Sequence, residues 1–177
     1  MSEIILRKQL GLVDYSNIPK DYVYIGRLPS PFSNPDIDYE VVADFFIGNG
    51  YLINRKEDRK NGVVDDGVNQ FEMPLAGVGW MINAIELGFE TPPSAGGIEK
   101  NKLHTDTTLN DERLRVMYGV CVGGEGAGGY TIKNSSRSSY ILPEASQQFS
   151  ITIDIWNQVG RSFFKDILKR INTGEFN

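Results

Sequence analysis

The chain has 177 residues, a formal net charge of −5, 40% hydrophobic and 23% charged residues. That is enough for one well-buried domain, too little for two ordinary ones, and unlike a wholly disordered chain. The acidic balance disfavours broad phosphate binding, and a single cysteine and a single histidine exclude an internal disulfide, multi-cysteine metal sites and any centre needing two histidines.

Residues 1–20 read as an N-terminal arm or a short helix. Ile4, Ile5, Leu6 and Leu10 would line one side of a helix ended by Gly11; alternatively the segment is an arm that docks on a neighbour. The first apolar run is short and precedes Arg7 and Lys8, the reverse of a secretory signal. No run approaches the ~18 apolar residues of a membrane span. Cytoplasmic synthesis in a reducing compartment, without signal-peptide secretion, is the expectation.

Residues 21–177 read as a single α+β domain. Tyr22–Arg27 has β-propensity and alternation. It runs into LPSPFSNPD, where Pro29, Pro31 and Pro35 forbid regular structure and make an extended surface loop. Residues 39–47 predict a strand, Gly48 to Gly50 a turn, and YLIN a short second strand. RKEDRKNG then reads as a solvated charged loop closed by Asn61–Gly62, both of which tolerate positive φ. A helix is predicted over 74–88, opened by Pro74, ended by Gly88, and striped by Leu75, Val78, Met81, Ile82, Ile85 and Phe89. Residues 91–112 show no persuasive periodicity and read as a long loop, a length that is often functional.

Residues 113–133, RLRVMYGVCVGGEGAGGYTIK, predict two strands joined by a mobile glycine-rich loop. The first strand, with Val116, Tyr118, Val120 and Val122, is placed at the centre of the sheet. NSSRSSY reads as a turn. In FSITIDIW, Phe149, Ile151, Ile153 and Ile155 alternate with polar residues, as in a half-buried antiparallel strand. A second amphipathic helix over 155–171 carries Ile155, Val159, Phe163, Ile167 and Ile171 on one face, with Phe164 and Leu168 beside it. The sum is a mainly antiparallel β-sheet packed by two amphipathic helices, about 74–88 and 155–171, with long loops.

The candidate chemistry is thin. Gly124, Gly126 and Gly129 spell G-x-G-x-x-G, but YTIK follows, so the helix that would meet a pyrophosphate is missing. A kinase-type loop does sit between strands, yet His104, Asp106 and Asn110 lie upstream with altered spacing. The loop glycines Gly123, Gly124, Gly126, Gly128 and Gly129 instead read as a partner-contact tip, able to bring backbone close to a neighbour. His104 lacks a G-x-S-x-G nucleophile to serve, and Cys121, in an apolar strand, reads as a buried inert thiol.

Asp36, Asp38 and Glu40 alternate and would project together, a conceivable Ca²⁺ or Mg²⁺ site without the glycine and distal glutamate of an EF-hand. Asp65, Asp66 and Glu72 are weaker candidates for an acid/base pair. Ser162 and Lys165 spell S-x-x-K without its companion motifs. No cofactor, metal or catalytic set is expected.

The Asn-, Gly- and Ser-rich composition is similar to that of small virion proteins of tailed bacteriophages, a likeness that covers no motif. It implies a structural or assembly subunit (a capsid, neck or baseplate component) acting through protein–protein contacts as a homo- or hetero-oligomer, without a membrane or a strong nucleic-acid signal. The alternatives are an intracellular phage- or plasmid-borne inhibitor with an acidic surface, and a small enzyme using carboxylates with His104.

Overall fold

The computed structural model describes residues 6–99, 101–124 and 126–176. Among them, strands β1 (Val23–Leu28), β2 (Tyr39–Gly48), β3 (Tyr51–Lys60) and β4 (Val63–Pro74) form one antiparallel sheet in that order. Strands β5 (His104–Leu109), β6 (Glu112–Gly119), β7 (Gly129–Ser138) and β8 (Ser146–Thr152) form a second antiparallel sheet, again in chain order. Each sheet is followed at once by a helix, so four strands and a helix occur twice. The α+β class holds, with the strands divided into two sheets.

Three hairpins turn on two residues with positive φ. These are Asn49–Gly50 (53° and 78°), Asn61–Gly62 (51° and 74°) and Asn110–Asp111 (51° and 59°). Such turns match the right-handed twist of the strands they join, which is why Asn, Asp and Gly occupy them. They set the registers Gly48↔Tyr51, Lys60↔Val63 and Leu109↔Glu112.

Strand alternation then distributes the core. Phe45, Ile47, Leu52, Phe71 and Met73 of the first sheet share one cluster with Leu114, Val116, Ile132, Phe149 and Ile151 of the second. Phe46 and Ile53 point to the opposite face of the first sheet, where Val13 covers them. β2 and β3 are therefore buried on both sides.

Helix α1 (Ala76–Asn83) widens into a π turn at Ala84–Phe89 and buries Val78, Met81, Ile82 and Ile85. Pro74 closes β4 instead of opening the helix. The last helix starts as α2 (Ile153–Ile155), with the Thr152 hydroxyl accepting from the Ile155 amide at 3.3 Å. It passes through a second π turn, Trp156–Gly160, into α3 (Arg161–Asn172). Its buried side is Trp156, Gly160, Phe164 and Ile167, one residue out of phase with the expected stripe in its first half. Val159, expected inside, is 40% exposed. No helix of the described residues is long and apolar enough to cross a membrane.

Four other expectations change. RKEDRK is not a loop but the second half of β3, because Arg55 and Glu57 find partners on a covered face. The loop over 91–112 shrinks at its far end, since HTDTTL pairs with β6 as strand β5. NSSRSSY belongs largely to β7, with Arg137 buried in it. The last strand ends at Thr152, and Ile153 and Ile155 are helical. At the N-terminus, Leu6–Val13 carries no helix; Ile4 and Ile5 lie outside the described residues.

Candidate functional site: an arm groove and a cleft that share strand β4

The extended arm Leu6–Val13 lies on the molecule's own surface and bridges both sheets. Its backbone makes most of the contacts. The Leu10 amide donates to both carboxylate oxygens of Glu72 (3.1 and 3.0 Å), and the Val13 amide donates to Gln70 Oε1 at 2.9 Å. The Val13 carbonyl accepts from Arg55 Nε at 2.8 Å, the Lys8 carbonyl from Arg137 Nη1 at 3.1 Å, and the Leu10 carbonyl from the Tyr140 hydroxyl. Arg7 bonds through its backbone to Ser136 and Ser138 of β7.

Beneath the arm lies a buried charge network. Glu72 and Glu112 are fully buried, and Arg137 between them is 6% exposed. Arg137 reaches Glu112 at 2.6 Å and Glu72 at 3.2 Å. Tyr51 donates to Glu112 at 2.6 Å, and Asn134 donates to Glu112 at 2.6 Å and to the Glu72 carbonyl at 2.8 Å. Gln147 accepts from the Glu72 amide at 2.8 Å. Side chains of the second sheet thus satisfy backbone groups of β4 in the first, as buried polar groups require.

The electrostatics follow from this packing. Burial pushes the Glu112 carboxyl upward, but Arg137, Tyr51 and Asn134 outweigh it and hold the group below the usual carboxylate range. Burial, then the Glu72 charge and hydrogen bond, push the Tyr140 phenol well above its usual value. Beside the end of the arm, Asp44 is 1% exposed and accepts from Arg27 (2.8 and 3.0 Å), Tyr24 (3.1 Å) and Tyr15. Those partners keep it ionised below its ordinary range despite burial. Partial desolvation, then the hydrogen bond to Asp44, push the Tyr15 phenol up to about 12, although the residue keeps a solvent-exposed side.

β4 borders two sites. Gln70 and Glu72 serve the arm, and Asn69, Gln70 and Phe71 line a cleft of about 210 Å³. Phe45, Phe71, Phe149 and Val41 line its apolar part, Asn54, Asn69, Gln148 and Ser150 add polar groups, and the loop Pro29–Phe32 closes one side. A second recess shares Asn69 and Gln148 with it and extends to Lys133, Ile141 and Leu142. Phe32, Ile141 and Leu142 are exposed.

The residues singled out from sequence do not converge. His104 is exposed at the first position of β5. Asp106 is held by Arg113 at 2.7 Å and Arg115 at 2.6 Å, which keep its carboxyl well below the usual range. Asn110 is a turn residue. Asp36, Asp38 and Glu40 are exposed, and Glu40 lies 3.8 Å from Arg27. Among the described residues no group of three His, Cys, Asp or Glu is placed to hold a metal ion.

Asp65 is exposed while Glu72 is buried under the arm; the Asp66 side chain lies outside what is described. Lys165 pairs with Glu86 at 2.8 Å, and the Ser162 hydroxyl donates to the Val159 carbonyl at 2.9 Å. Cys121 is exposed rather than buried, because β6 stops at Gly119 and leaves Val120–Val122 in the loop.

The glycine loop folds on its own chain. The Val122 amide bonds the Ala127 carbonyl at 2.8 Å. A Cβ on Gly129 would stand 2.4 Å from the Ile151 carbonyl, and one on Gly123 would stand 2.4 Å from Thr152 Cγ2 and 3.2 Å from Pro31 Cβ. Gly123 and Gly129 thus allow close approach within the chain, beside the loop that closes the cleft. Gly124 and Gly126 have positive φ with open space around them, and Gly128 joins the loop to α2 through its carbonyl, 3.0 Å from the Ile153 amide.

Sequence reasoning missed Arg137, Glu112 and Gln70. The one available signal was in β3, where Arg55, Glu57 and Arg59 alternate as strand residues do. The chain matches no protein-family model, no curated protein and no solved structure.

Proposed function

We propose that this protein is a non-catalytic assembly subunit that works through protein–protein contacts, with the cleft beside Pro29–Phe32 as a partner's seat. The observation that carries this reading is the composition of the cleft and its surroundings. Phenylalanines and amides line it, and exposed Phe32, Ile141 and Leu142 belong to its walls and to those of the adjoining recess. Amides can bond a polypeptide backbone, and solvent-exposed apolar side chains beside them gain by being covered. A virion component of the tailed-phage kind, such as a capsid, neck or baseplate protein, is the setting that composition favours.

The test is to isolate the tagged protein from its native source alongside a Phe32→Asp, Leu142→Asp variant. Both substitutions are at exposed positions, so the melting temperature should stay within a few degrees of the parent. The parent should bring down a stoichiometric protein that the variant loses at least tenfold. Equal recovery by a folded variant would remove the cleft from the partner interface, and a parent that stays monomeric and alone would end the assembly reading.

A further inference from the structure

We infer that the arm groove is an exchange site, which takes the Leu6–Val13 segment of a second copy of this chain through the same bonds as its own. The inference goes beyond the cleft and shares only Gln70 with it, though it deepens the same assembly reading.

The groove reads polypeptide backbone. Glu72 and Gln70 accept arm amides, and Arg55, Arg137 and Tyr140 donate to arm carbonyls. None of these contacts depends on the arm belonging to the same molecule. The groove also requires an occupant, since an empty one would leave buried donors and acceptors unpaired. The arm, by contrast, contributes no residue to the main apolar core; its buried anchor, Val13, packs only with the small cluster of Phe46 and Ile53. It docks on a fold whose main core is complete without it.

The connection to β1 permits a transfer. Ser16 to Asp21 are all exposed, and six straightened residues reach roughly 20 Å. Tyr15 marks the boundary, because its hydroxyl is tied to Asp44 and its ring lies 3.9 Å under the Arg55 guanidinium. Exchanging an identical element between protomers re-forms the same bonds in each, so the equilibrium is governed by concentration and by the linker.

The test uses full-length chains carrying Cys121→Ser, which removes the native exposed thiol. One chain carries Gln9→Cys and the other Ser139→Cys, positions joined by a 3.0 Å hydrogen bond from Gln9 Nε2 to the Ser139 carbonyl. The two are mixed, incubated warm, and treated with a short bismaleimide. The expected result is an interchain product that rises with concentration and exceeds at least tenfold the product from Gln9→Cys mixed with Ser162→Cys. Deleting Asn17, Ile18 and Pro19 should shift monomer to dimer by light scattering, because the shortened arm no longer reaches its own groove.

A chain carrying both Gln9→Cys and Ser139→Cys is the control. If it closes internally while the mixed chains give only background product up to about 1 mM, the scale of a linked segment's effective concentration, exchange is overturned. Phe32→Asp should leave exchange unchanged, so loss of the cleft partner and loss of exchange are separate outcomes.

Discussion

Arg137 balances the buried carboxylates beneath the arm at a single position. Two fully buried carboxylates, Glu72 and Glu112, face this one guanidinium, with Arg7 only at the rim, 3.7 Å from Glu112. Removing one partner of such a network costs far more than the network is worth against an apolar replacement, because it strands charge in the interior. Arg137→Met should therefore lower stability by about 3–5 kcal/mol, read as a lower urea midpoint with an unchanged slope. Adding Glu112→Gln removes one stranded charge and should recover part of the loss; no recovery would mean that the guanidinium matters for packing over Tyr51 instead. None of this was legible locally. Arg137 and Glu72 are 65 residues apart; Arg137 sits among polar neighbours that read as a turn, and nothing around Glu72 points to a distant guanidinium. His104 and Cys121 drew attention because they are rare, but rarity carries no information about what a side chain will meet.

At the level of elements, local chemistry was legible wherever it suffices to fix the backbone. The Asn61–Gly62 turn, β2, and both long helices are written in φ preference and apolar spacing. Elements whose buried side is charged were not. The arm-covered face of β3 beyond Ile53 carries Arg55 and Glu57, whose burial makes sense only once the arm carbonyl of Val13 and their mutual ion pair are present. The last helix shows a subtler failure. Apolar residues recur there every four positions from Ile155, a period that a π turn shifts onto another face. The structure buries Trp156 completely and ties its indole to Glu90 at 3.0 Å, while Val159 faces outward. Trp156→Ala should cost about 3–5 kcal/mol, whereas Val159→Lys should stay within about 0.5 kcal/mol. Thermal unfolding of the two variants decides the phase of the helix, and comparable losses would restore the uninterrupted stripe.

At the scale of the whole molecule, the union of the two sheets is partly apolar and partly ionic, and only the ionic part responds to pH. Glu112, at that union, and Asp44, held on the first sheet by Arg27, Tyr24 and Tyr15, have folded pKa values below their ordinary values of 4.5 and 3.8. The unfolded chain therefore binds protons first as pH falls. The stability they contribute is complete above the ordinary values and is lost as pH drops through the lower, folded ones. On the alkaline side Tyr15 moves from 10.0 to about 12 and Tyr140 is raised further. Their contribution is complete below about pH 10 and fades as pH climbs through the folded values.

Both edges touch the arm, through Glu112 and Arg137 on one side and Tyr15 and Tyr140 on the other. The melting temperature should be flat between roughly pH 5 and 9 and fall beyond each limit. Exchange of the Leu10 and Val13 amides should accelerate, relative to Ile132 in the core, before global unfolding at either edge. The ordering matters because the apolar core shared by the sheets does not titrate, so the arm is the part that acid or alkali can release alone. If those two amides kept the protection of Ile132 down to about pH 3 while the melting temperature fell, the network would be joining the sheets without holding the arm, and the arm's grip would rest on Val13 alone.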